Sequence, residues 1–211
     1  MSAPIVGSER LLVVVGPSGA GKDSVIGAWL AALPEAERPH RARRTITRPA
    51  DLHEDHEPLT PGAFRDAVEA GAFAFEWQAH GLQYGVRREE LLPLATGRWV
   101  VMNGSRSHLP RLRERAPQAR VIEIDAPAPV RAARLAQRGR EAGSDQDRRL
   151  SRTVTVEGCE LRIVNDRRIG EAVADLADWW RSLSACAAST LGEPPRALPS
   201  PCHAPRQDWR A

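Results

Sequence analysis

Apolar residues in this chain come as short runs separated by helically spaced segments, which is the pattern of an α/β protein. Leu11–Val15 (LLVVV) is apolar throughout and β-branched at its last three positions, and predicts a parallel strand buried on both faces. Residues 99–102 (WVVM), 121–124 (VIEI) and 162–164 (RIV) predict further strands, and residues 40–44 (HRARR) begin a short one. Helical spacing marks residues 24–33, 89–95, 109–115, 130–138 and 169–186, the last with Val173, Leu176 and Trp180 on one face. Residues 61–71 start at Pro61 and end at Gly71, with Phe64 and Val68 on one side, and predict a short helix. Residues 72–80 (AFAFEWQAH) instead alternate with period two, which predicts a strand, and residues 81–86 (GLQYGV) predict the turn after it. From Gly192 onward the chain has five prolines and little periodicity, so a single domain is expected over residues 1–190 and a poorly ordered tail over 191–211.

The first strand runs directly into Gly16-Pro17-Ser18-Gly19-Ala20-Gly21-Lys22, and the spacing Gly16-x4-Gly21-Lys22 between a strand and a helix is a P-loop. Glycines there let successive N–H groups turn inward around a phosphate, with the positive end of the next helix behind them. Gly16, Pro17, Ser18, Gly19, Ala20, Gly21, Lys22, Asp23 and Ser24 are therefore candidate ATP-binding residues, Lys22 reaching the terminal phosphates. Lys22 is the only lysine among 30 basic residues, so a composition that otherwise uses arginine keeps a compact ammonium here. Where Ser or Thr usually offers Mg2+ a hydroxyl, the chain has Asp23, a hard-oxygen group and the candidate metal ligand. A first-turn acid also suits the helix dipole, which is the plainer explanation of Asp23.

Composition narrows the function classes. A chain of 211 residues, 42% hydrophobic, is long enough for one sizeable core. No run approaches the roughly 18–20 apolar residues of a membrane span, and MSAPIVGSER lacks the form of a signal peptide. Cys159, Cys186 and Cys202 have no zinc spacing and fit a reducing, cytoplasmic setting. The net charge of +3 comes from 30 basic and 27 acidic residues with only 5% aromatics, which fits local anion sites rather than a nucleic-acid stripe.

Arg43, Arg44 and Arg48 precede a loop with His53, Asp55, His56 and Glu57. The two histidines lack a third ligand at a recognisable metal spacing, so the loop reads as polar and substrate-facing or solvated. Further on, Arg131, Arg134, Arg138, Arg140, Arg148, Arg149 and Arg152 flank GREAGSDQD, and such a segment in a P-loop protein suits a lid over transferring phosphate. Asn103-Gly104-Ser105-Arg106 follows a strand at the edge where open α/β sheets bind ligands. His80 and Tyr84, near a turn, are the remaining site candidates.

Over about residues 10–185, GPSGAGK, TITRP, EW followed by GLQYGV, RLAQRG with a later RRL, and VND occur in the order of the guanylate kinase family, which the chain resembles. The resemblance implies a P-loop kinase core with a parallel sheet (residues 10–44 and 87–188), an acceptor-binding insertion (residues 45–86) and an arginine-rich lid (residues 138–152). It carries over Lys22 as ATP ligand, Arg48 as acceptor-phosphate ligand, Tyr84 as acceptor contact, and Arg138 and Arg149 as catalytic lid arginines. Departures are instructive. The second arginine after Arg48 is missing, His56 stands for a tyrosine, Val86 for a hydroxyl residue and Asn103 for an aspartate, all against a guanine-reading pocket.

GPSGAGKDS, ITR, HGLQYGV, VVMNGSRSHLP and RGRE are similar as whole phrases to the ribose 1,5-bisphosphate phosphokinases, guanylate-kinase-like enzymes of phosphonate catabolism. That similarity implies transfer from ATP, with Mg2+, to the 1-phosphate of a sugar bisphosphate, giving 5-phosphoribosyl 1-diphosphate. Arg48 and Arg106 are then expected at the two ends of the acceptor, with His56, His80 and Tyr84 around the sugar, and Asn103 is a further substrate-binding candidate at its strand end. Nucleic acid and membrane are not expected partners. Guanylate kinase is the enzyme alternative, and a non-catalytic guanylate-kinase-like interaction module is the second alternative.

Overall fold

In the computed structural model, residues 3–49, 55–137 and 156–190 are described, the last six without their side chains. The expected lid, His53 and the tail lie outside the described residues. β1 (Leu11–Val15) is the middle strand of a five-stranded sheet with β2 (His40–Arg41), β7 (Val100–Asn103), β8 (Arg120–Asp125) and β9 (Leu161–Val164), in the order β2-β7-β1-β8-β9. Every pairing in it is parallel. All five β1 residues are buried, as an apolar run without alternation requires. Val14 pairs with Asn103 and Val15 with Glu123, so the carboxyl ends of β1, β7 and β8 emerge at one edge. The Gly104 amide extends that ladder to the Val14 carbonyl at 2.8 Å.

Helices alternate with these strands. α1 (Lys22–Ala32) buries Val25, Ile26 and Trp29, and α4 (Leu109–Arg115) buries Leu109 and Leu112. α3 (Leu92–Ala95) follows a 3-10 turn at Arg88–Leu91, and α5 (Ala128–Gln137) follows β8. The chain divides at Ala177/Asp178 into two units, the boundary falling within α6 (Ile169–Thr190). In the first unit α6 buries Leu176, as expected, together with Ala172, and leaves Val173 half-buried. In the second, Asp178 pairs with Arg181 and its carbonyl accepts from the Ser182 hydroxyl.

Residues 44–49 and 55–87 contribute a second sheet of β3 (Arg44–Ile46), β4 (His56–Pro58), β5 (Phe73–Ala79) and β6 (Leu82–Arg87), in the order β4-β3-β6-β5. α2 (Pro61–Glu69) connects β4 to β5, with Thr60 capping the Ala63 amide and Pro61 in its first turn. The expected turn over 81–86 is corrected here: only His80 and Gly81 turn, and Leu82–Arg87 is a strand antiparallel to β5. Both turn residues have positive φ, +55° and +71°, the requirement of a two-residue hairpin that matches strand twist. The second sheet shares one core with the first: Phe75, Trp77 and Val86 pack in the same cluster as Val13, Val15 and Met102. Burying each such side chain contributes about 1.5–3 kcal/mol, which fixes the insertion against the strand ends.

Candidate active site

The loop between β1 and α1 is shaped by contacts that exclude side chains. Gly16 has φ +149°, and a Cβ there would lie 1.9 Å from the Ile124 carbonyl oxygen. Gly21 has φ +86°, and its Cβ would lie 2.6 Å from Asn165 Nδ2. Both positions therefore demand glycine for backbone angle and for space. Asn165 Nδ2 donates to the Ala20 carbonyl at 2.8 Å, and Arg134 Nη1 donates to the Asn165 carbonyl at 3.0 Å. Asn165 and Arg134 are thus loop braces that sequence reasoning did not assign, although VND was the signal for the first. Lys22 Nζ donates to the carbonyls of Gly16 and Pro17, both at 3.0 Å, across the loop.

A cavity of about 430 Å3 opens beside this loop. Gly16, Ser18, Gly19, Gly21, Lys22 and Asp23 form one wall; Asn103, Gly104 and Ser105, at the end of β7, form its floor. The opposite wall comes from the second sheet, with Arg44, Arg48, Trp77, His80 and Tyr84. Trp77 and Tyr84 are cross-strand partners, stacked with ring centroids 5.5 Å apart and planes 5° apart. Lys22, Asp23, Arg48, His80, Tyr84 and Asn103 are thereby brought together as expected, and Arg44 joins them unannounced.

Other expected site residues lie elsewhere. Pro17 and Ala20 are buried under the loop, and Ser24 is exposed on α1, off the cavity wall. His56 is 2% exposed and its Nε2 lies 3.2 Å from the Arg48 carbonyl, so it supports the Arg48 backbone from behind rather than facing the cavity. Arg106 is also off the wall, in a short 3-10 turn; burial lowers its pKa against the opposing pull of Glu123 and Asp125 at the end of β8. Arg138 and Arg149 lie outside the described residues. Asp55 pairs with Arg43, and Glu57 with Arg87 and Thr45.

Asp23 has an unusual environment for a metal ligand. Its Oδ1 accepts from Arg41 Nη2 at 3.1 Å, and its Oδ2 from Arg44 Nη2 at 3.1 Å and Asn103 Nδ2 at 2.8 Å. Burial alone would raise its pKa, but Arg44, the Asn103 hydrogen bond, Lys22 and Arg41 together hold it down at about 2. Both carboxylate oxygens are thus engaged by donors, two of them guanidinium groups. Two guanidinium groups on one carboxylate therefore do not fit inner-sphere Mg2+ at Asp23. Among the described residues no group of three or more His, Cys, Asp or Glu is placed to hold a metal ion, and no helix is long and apolar enough to cross a membrane.

The chain is 48% identical over 147 residues to the ribose 1,5-bisphosphate phosphokinase PhnN of Burkholderia mallei (strain SAVP1), covering 70% of this chain and 79% of that one. It is 44% identical over 176 residues to the PhnN of Chromobacterium violaceum, covering 81% and 93%. No family model matches. Among solved structures, guanylate kinase from Anaplasma phagocytophilum aligns with a TM-score of 0.58 at 18% identity over 87% of each chain, a likeness of fold. The loop, the strand order and the second sheet are thus those of a guanylate-kinase-like P-loop fold, and the chain belongs to the ribose 1,5-bisphosphate phosphokinase PhnN family.

Proposed function

We propose that the protein transfers the γ-phosphoryl group of ATP to the 1-phosphate of ribose 1,5-bisphosphate, giving 5-phosphoribosyl 1-diphosphate and ADP. The observation that carries this reading is the single cavity wall-to-wall arrangement of a phosphate loop with Lys22 opposite Arg44, Arg48 and a Trp77–Tyr84 stack. Among the described residues lining it Asp23 is the only acid, which suits a polyanion on both sides.

The attacking atom is an oxygen of the 1-phosphate, already largely ionised near neutral pH because its second pKa is about 6. Its bond to the γ-phosphorus forms as the bridging oxygen on the β-phosphate departs with ADP. No general base is needed, and the barrier is lowered by alignment and charge neutralisation. Lys22 exchanges the Gly16 and Pro17 carbonyls for β- and γ-phosphate oxygens, aided by the loop amides and the α1 dipole. Arg48 takes a phosphate of the acceptor, Tyr84 and His80 border its sugar, and Arg138 and Arg149, outside the described residues, keep the catalytic role that the resemblance gives them. Mg2+ would enter with ATP and would neutralise charge during transfer; no cavity residue is assigned to it.

The identity of 44–48% to ribose 1,5-bisphosphate phosphokinases, against 18% to a guanylate kinase, favours a sugar bisphosphate acceptor over GMP. A coupled ADP-release assay with ribose 1,5-bisphosphate, ribose 5-phosphate and GMP in parallel tests the proposal. Preferred turnover of the bisphosphate supports it, and preferred turnover of GMP refutes it.

A further inference from the structure

The carboxylate that replaces the usual P-loop hydroxyl joins the two sides of the cavity. Asp23 follows Lys22 directly and so belongs to the phosphate loop and the first turn of α1. Its partners come from three other places: Arg41 ends β2, Arg44 begins β3, and Asn103 ends β7. Arg44 is 90% buried as a side chain and still lines the cavity, and β3 pairs with β6, which carries Tyr84. A guanidinium is a rigid planar fork, so one bond to a fixed carboxylate sets the direction of the whole plane.

Building on the bisphosphate reading above, we propose that Asp23 is a positioning residue rather than a metal ligand: it holds Arg44 against the cavity, where Arg44 and Arg48 together take one phosphate of the acceptor. Arg44 is accordingly a substrate-binding residue. The ion pair fixes the distance between the wall that holds ATP and the wall that holds the sugar bisphosphate. A hydroxyl side chain at position 23 cannot do this, because it carries no charge and spans one bond less.

Asn103 is part of the same device. Its Nδ2 donates to Asp23, while its Oδ1 is buried without a hydrogen-bond partner on the cavity floor. An aspartate there would set two carboxylates against each other, whereas the amide donates to Asp23 and joins Arg44 in favouring its charged form.

The test is steady-state kinetics of Asp23→Asn, varying ribose 1,5-bisphosphate, ATP and free Mg2+ in turn. The expected result is a rise of tenfold or more in acceptor KM, with ATP KM and the half-saturating Mg2+ concentration within twofold of the parent. A tenfold rise in half-saturating Mg2+ with acceptor KM unchanged overturns the assignment, as does a fall in kcat alone. Arg44→Lys, which keeps the charge but not the fork, is the second variant and should raise acceptor KM similarly. The double variant should be no worse than the worse single one, whereas additive losses would uncouple the two residues. Should the parent protein phosphorylate GMP and not the bisphosphate, the functional reading fails, while the same comparison with GMP KM still decides between clamp and metal ligand.

Discussion

Asn103 Nδ2 donates to Asp23 Oδ2 at 2.8 Å, bringing the end of β7 against the first turn of α1. Asn103→Asp replaces that bond by two carboxylates in contact, in a site where Asp23 is 22% exposed. The cost is about 3 kcal/mol of stability at neutral pH, partly recovered when acid supplies a shared proton. Chemical denaturation of the variant at pH 7.5 and at pH 5 measures it, and equal stability of variant and parent at both values would count against the network described.

Tyr84 lies flat against Trp77, and both rings border the cavity. Tyr84→Phe keeps the stack and isolates the hydroxyl, whereas Tyr84→Ala removes a wall. Acceptor KM is expected to rise about tenfold in Tyr84→Ala with ATP KM unchanged, in line with one lost aromatic contact and its hydrogen bond. A change in ATP KM instead would move Tyr84 to the nucleotide side.

Lys22 is the ammonium of the phosphate loop, bonded to two carbonyls of that loop. Lys22→Met should lower kcat by roughly 10²–10³, the scale of one lost charge-stabilising donor, and shift stability by only about 1 kcal/mol. Retention of activity within tenfold would show that the loop amides alone carry the nucleotide.

His108 packs between Trp77 and Phe75, with its Nε2 buried and unbonded. Burial, and next the charge of Arg111, lower its pKa to about 4 from 6.5. The unfolded chain therefore binds a proton that the folded one refuses between those values, so stability falls as pH drops from 6.5 to 4. The loss reaches about 3 kcal/mol at the lower end. His108→Phe keeps the ring stack and should flatten that slope in denaturation curves; a slope unchanged by the substitution would assign it to other groups.

What the sequence made legible is what is encoded locally. The P-loop needs only a strand, fixed glycine spacing and a helix, and α4 is bounded by its own proline and its basic last turn over Leu109–Arg115. The His80–Gly81 hairpin was missed because its first turn residue is a histidine rather than the usual Asn or Asp, which left Leu82–Arg87 looking like loop. Nothing in the local sequence distinguishes Arg44, because its place on the wall depends on an ion pair to a residue 21 positions away. The contact of Asn165 with Ala20 spans 145 positions, and no local pattern reports such a distance.

The central claim is acceptor identity, and phosphorus NMR of the protein with Mg-ATP and ribose 1,5-bisphosphate tests it most directly. Growth of the coupled doublets of a sugar diphosphate, with loss of the anomeric phosphate signal and ADP in equal amount, is the result expected. Inorganic phosphate and ADP as the only new signals, or GDP formed in preference when GMP competes, would contradict it.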